Sequence, residues 1–186
     1  QHFQAPPSTT PTKGRHHPMT TTKIDLQKLR KHLAHHMKTT HQVTTTLANA
    51  GIKEPELTQI ITQLTQEKYL NDAEYVAEYI RADRAKNKHT SAEKMKHTLT
   101  KEHGIDPNTV EDVLSEMGAY NENLTQAIKH AEKIISKAIK PNNIETLNTQ
   151  KLTIRISRQL AARGYDEDTT KEAIYQACTN LLTDIE

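Results

Sequence analysis

Few side chains in this 186-residue sequence stand at spacings that chemistry requires. His32 and His36 are one helical turn apart, the i, i+4 spacing of metal ligands on a helix. No cysteine accompanies them, and no acidic residue lies between them as in His-Glu-x-x-His. No physiological metal is therefore expected from the eleven histidines. The chain has no glycine-rich phosphate loop, no nucleophile elbow and no Ser/His/Asp order. A non-enzyme without a cofactor is the expectation.

The charged side chains are more informative. Net charge is only +2, but from Arg81 to Lys101 seven Lys/Arg face only Asp83 and Glu93. Arg81, Arg84 and Lys88 fall at i, i+3 and i+7, and Lys151, Arg155 and Arg158 at i, i+4 and i+7. Each row would share one helical face. With Lys94, Lys96 and Lys101 they suggest a basic surface for an acidic partner or for nucleic-acid phosphates. A solvated helix face is the alternative. Tyr75 and Tyr79, one turn apart, suit core packing with hydroxyls at the rim, or a contact spot for a partner.

The elements that position these residues follow from a pattern that occurs three times. Leu47-Ala-Asn-Ala-Gly51-Ile52, Leu99-Thr-Lys-Glu-His-Gly104-Ile105 and Leu160-Ala-Ala-Arg-Gly164-Tyr165 each read as a helix ending at glycine. Aligned on the glycine, Leu57, Val110 and Thr170 correspond, as do Ile60, Val113 and Ala173. So do Ile61, Leu114 and Ile174, and then Leu64, Met117 and Ala177. That period is one face of a second helix. Pro55 and Pro107 are expected just inside those helices. The glycines stand far enough apart to leave room for a third helix per unit. The sequence predicts an all-α fold, an elongated tandem array of three three-helix repeats.

The expected divisions are a disordered tail over 1–23 and repeats over 24–70, 71–119 and 120–186. Residues 1–23 are rich in Pro, Thr and His without apolar period. Helices are expected at about Asp25–Met37, from a Thr39 or Thr40 cap to Gly51, and at about Glu54–Glu67. Asn71-Asp72-Ala73-Glu74 resembles a capping box before a helix presenting Ala73, Val76, Ala77 and Ile80. Helices at about Thr90–His103 and Pro107–Met117 follow. The last three are expected at about Asn123–Ala138, Glu145–Arg163 and Asp168–Thr183, with Pro141-Asn-Asn143 a break. A hydrophobic content of 34%, with no Trp and one Phe, suits small stacked units better than one large globule. The single cysteine, Cys178, is expected to be a small buried residue in a reducing compartment. No apolar run approaches the ~20 residues that span a bilayer. The expectation is a cytoplasmic protein with no membrane partner.

The stretch from Tyr69 to Arg84 resembles the bacterial RecX family, modulators of the RecA recombinase. Leu70, Asp72, Tyr75–Ala77, Tyr79 and Arg84 carry the likeness. Gly104-Ile105 continues it after a basic helix, and Leu152, Leu160 and Arg163-Gly164-Tyr165 resemble the family's last repeat. Leu29-Arg30, Val43, Leu47 and Gly51 match the first. The family commonly carries a glycine turn near Asn87-Lys88, which this chain lacks. The resemblance implies a monomeric helical rod in the groove of the RecA–DNA filament, possible contact with single- or double-stranded DNA, and inhibition of strand exchange and ATP hydrolysis. Rival readings are a direct DNA-binding protein of helix-turn-helix-like units and a generic helical-repeat adaptor.

Overall fold

The computed structural model describes residues 25–139 and 149–183. Among these residues it contains nine α-helices and no strand. The expectations for residues 1–23, the break at Pro141 and the start of the eighth helix at Glu145 lie outside the described residues.

Helices α1 (Leu26–His35), α2 (Thr40–Asn49) and α3 (Glu56–Gln66) enclose one apolar cluster. Leu33, Val43, Leu47, Leu57, Ile60 and Leu64 are its buried members on those helices. Helices α4 (Asp72–Ala85), α5 (Ala92–Lys101) and α6 (Pro107–Glu116) enclose a second, around Val76, Met95, Leu99, Val110 and Leu114. Helices α7 (Asn123–Ala138), α8 (Thr149–Ala162) and α9 (Glu167–Thr183) enclose a third, around Ala131, Ile135, Ile156, Leu160 and Ala173. Burying each such Leu, Ile or Met contributes about 1.5–3 kcal/mol.

Local chemistry explains most helix ends. Thr39 caps α2 in a reciprocal capping box with Gln42. Ser91 caps α5, and Asp106 caps α6 with Pro107 at its first position. Gly51, Gly104 and Gly164 have φ of +91°, +68° and +87°, the left-handed turn that a residue without Cβ adopts freely. Thr44 and Thr46 lower helix propensity, yet their hydroxyls donate to the carbonyls of Thr40 and Gln42, so α2 leaves neither unpaired.

Several expectations are corrected. Pro55 is the N-cap of α3 rather than a residue inside it. Asn71 caps α4 by accepting from the Glu74 N–H, but the Glu74 carboxylate accepts from Arg81. Ala73 is exposed, because the buried stripe of α4 begins at Val76. Cys178 is exposed too: α9 turns Ala173 and Ala177 inward, which rotates the next residue out. The turn after α4, which contains no glycine, places Asn87 at φ +48° and His89 at +56°. Asn tolerates that region better than most residues.

The three helix groups meet through the same three contacts. Thr39, fully buried, donates its hydroxyl to the His103 carbonyl at 2.8 Å; Ser91, also fully buried, donates to the Gly164 carbonyl at 2.9 Å. The first backbone N–H of α2, on Thr40, donates to Asp72 Oδ1 at 2.8 Å; that of α5, on Ala92, donates to Asn123 Oδ1 at 2.9 Å. Asp72 and Asn123 are each the first residue of the next group's first helix. Finally, Gly104 lies against the His41 ring and Gly164 against Lys94 and Ser91, where a Cβ would collide.

Candidate interaction surface

The expected basic rows meet different fates. Lys88 lies beyond the end of α4, whose C-cap is Lys86, so Arg81, Arg84 and Lys88 do not share a helical face. Arg81 is exposed and pairs within its own helix with Glu74 and Glu78. Arg84 is mostly covered, its side chain 19% exposed, and pairs with Asp83 and Glu122 at 3.2 Å each. It also donates to the Thr90 carbonyl, so it joins α4 to the segments after it rather than facing solvent. Lys96 pairs with Glu111 at 2.6 Å, and Glu111 also accepts from the Tyr120 hydroxyl. Burial and that carboxylate push the Tyr120 phenol up to about 12. The Lys94 ammonium donates to the Ala162 carbonyl across the junction with α8.

What remains open is narrower. Lys88 and Lys101 are exposed and meet no carboxylate among the described residues. On α8, Lys151, Arg155 and Arg158 are exposed on one face, opposite buried Ile156 and Leu160. Neither Arg155 nor Arg158 has an acidic partner among the described residues. Arg155 and Arg158 are thus the part of that row with no acidic partner among the described residues.

Tyr75 and Tyr79 are half-buried against the second cluster, packed around the His103 ring. The Tyr75 hydroxyl lies 3.2 Å from His103 Nδ1, and burial raises both phenols. They brace the junction between α2 and α5, since the His103 carbonyl is the one that Thr39 engages.

A buried polar group joining the end of α4 to α7 and α8 was not expected. Asp83, only 4% exposed, accepts from the Thr90 N–H at 3.1 Å and the Thr90 hydroxyl at 2.5 Å. Buried His89 meets Gln126 Oε1 at 2.8 Å, and buried His130 meets Gln159 Oε1 at 3.1 Å. The two imidazole centroids are 5.8 Å apart. Burial, then the Arg163 cation, pushes His130 down to about 4. The Tyr165 hydroxyl donates to the His89 carbonyl at 2.9 Å, and Arg163 Nε donates to the Lys88 carbonyl at 2.8 Å. Only the shared placement of Thr39 and Ser91 the same distance before Leu47 and Leu99 could have signalled the junctions. Among the described residues no group of three or more His, Cys, Asp or Glu could hold a metal, and no helix is long and apolar enough to cross a membrane.

No protein-family model matches the chain. It is 28% identical over 158 residues to "Regulatory protein RecX" of Bacillus subtilis, covering 76% of this chain and 56% of that protein. It is 25% identical over 154 residues to the protein of the same name from Clostridium botulinum (strain Eklund 17B), covering 83% of this chain and 68% of that one. The crystal structure of RecX from Lactobacillus salivarius superimposes with a TM-score of 0.65, covering 83% of this chain and 94% of that chain. In sequence and in fold the chain resembles the RecX family. At 20% identity the structural likeness speaks for the shared RecX fold alone. The chain spans about half the length of the Bacillus RecX relatives it matches. Those relatives are named as regulatory proteins.

Proposed function

We propose that this chain is a RecX-like regulator that binds the RecA–DNA filament and inhibits strand exchange, ATP hydrolysis and filament growth without catalysis of its own. The reading is of a monomeric rod built as a tandem array of three three-helix repeats. Three separate clusters joined by a repeated three-point junction support that architecture. Each junction fixes a buried hydroxyl, a helix-start N–H and a glycine at once, so successive units keep one relative orientation. A rod of that kind presents a long surface to an extended partner.

The observation that carries the contact is the row on α8, whose Arg155 and Arg158 meet no carboxylate among the described residues. Reversing a charge there changes what a partner feels rather than what the fold needs, since exposed charges contribute about 0–1 kcal/mol. Arg155→Glu with Arg158→Glu should keep the far-ultraviolet dichroism and melting temperature of the wild type. It should lose inhibition of RecA-driven strand exchange, and wild-type binding to filaments should weaken with added salt. A folded double variant that inhibits like wild type would overturn the assignment of this row.

A further inference from the structure

Ile154 is 45% exposed on α8, between Lys151 and Arg158 on the same face as the expected basic row. Two other large hydrophobics are exposed among the described residues, Met37 and Tyr175. Met37 follows the end of α1, and the cation one turn before Tyr175, Lys171, is already paired with Glu167. Ile154 stands beside Arg155 and Arg158, which meet no carboxylate among the described residues. Lys151, Ile154, Arg155, Arg158 and Gln159 together line one shallow hollow. Gln159 is held in place from below, its oxygen against His130.

We infer that this hollow docks an acidic protein segment that inserts one apolar side chain against Ile154, with its carboxylates reaching Arg155 and Arg158. The chemistry favours protein over nucleic acid. Phosphate contacts need cations alone and gain nothing from an aliphatic side chain at their centre. Single-stranded bases are held by stacking on aromatic rings, and no aromatic residue lines the hollow. An apolar centre with a charged rim is the anatomy of a protein contact, in which the rim excludes water from a buried anchor. Arginine suits the rim because its planar fork grips a carboxylate through two hydrogen bonds. The inference rests on the regulatory reading only for the identity of the natural partner, which would be an acidic segment exposed on the RecA filament.

The test uses the full chain and three probes: a fluorescent helical peptide of glutamate and leucine, a fluorescent single-stranded oligonucleotide, and RecA–DNA filaments. Wild type should bind the peptide. Ile154→Ser, a change at an exposed site, should weaken that binding about tenfold, the loss of one buried aliphatic group. Arg155→Glu with Arg158→Glu should abolish it. Any retention of the oligonucleotide should be the same for Ile154→Ser as for wild type. Peptide binding that is absent, or indifferent to Ile154→Ser, overturns the inference. Parallel loss of the oligonucleotide overturns it too, and assigns the hollow to nucleic acid with Ile154 as a wedge. If the peptide contrast holds while wild type ignores the filaments, the docking surface stands and RecA is not its partner.

Discussion

His130 shows what a single residue decides in this molecule. It sits under α8 with its Nε2 against Gln159, faced by Arg163, His89 and Lys133, and its Nδ1 is buried without a partner in the structure. Protonation would add a charge where water is excluded and where cations already lie. Its folded pKa of about 4 is below the ordinary 6.5. The unfolded chain therefore takes up the proton first, and stability falls as pH drops from about 6.5 towards 4. The loss attributable to this group should be roughly 2 kcal/mol across that window. His130→Gln should show a smaller difference in melting temperature between pH 7 and pH 5 than wild type. Identical differences would mean that the imidazole titrates freely. Asp83 gives a second prediction. Asp83→Ala should be destabilising by about 2–4 kcal/mol in urea unfolding, because it strands Thr90 and removes a carboxylate from partly buried Arg84. A loss under about 0.5 kcal/mol would show that the network contributes little.

At the scale of elements, the three helix-ending glycines look alike in sequence and differ in surroundings. Gly51 and Gly164 have nearly the same φ, so alanine at either incurs the left-handed strain of about 1–2 kcal/mol. A Cβ on Gly51 meets nothing within 4 Å, whereas one on Gly164 would stand 2.6 Å from Lys94 Cβ and Ser91 Oγ. Gly164→Ala should therefore cost about 1–3 kcal/mol more than Gly51→Ala in urea unfolding. Gly104→Ala should follow Gly164, since its Cβ would enter the His41 ring. Equal losses at all three would mean that the junctions are not formed in solution. The longer α8 belongs to the same comparison. It begins a turn earlier relative to its glycine than α2 or α5, so Leu152 stands inside a helix where Thr39 and Ser91 stand at caps. The extra turn carries Lys151.

For the molecule as a whole, the clusters do not merge. Each is closed by its own three helices, and the connections between them are hydrogen-bonded junctions rather than a shared apolar layer. Small-angle scattering should then give a radius of gyration clearly above the ~16 Å of a compact chain this long. A value at or below that figure would exclude the rod. The paired cations matter at this scale as well. Arg84 and Lys96 reach carboxylates on later segments, so these two cations of the central basic stretch hold the fold together.

The sequence alone determined the helices and their inward faces, because both depend on short-range physics. A residue's neighbours at i+3 and i+4 set the stripe, caps such as Asn71 and Asp106 set the start, and glycine sets the stop. That is why Leu57, Val110 and Thr170, aligned on their glycines, are all buried. The RecX likeness was legible for the same reason, since ordered spacings carried it. Only the tertiary structure decided which cations are spent internally. Glu122 is remote from Arg84 in sequence, and no period announces that α4 and the start of α7 approach one another. It also decided that Asp83 is buried, because Thr90 brings an N–H and a hydroxyl to its carboxylate, and that His130 is buried with only Nε2 met, by Gln159. The state of Arg155 and Arg158 emerges by the same route: among the described residues the folded chain brings no counter-charge to them.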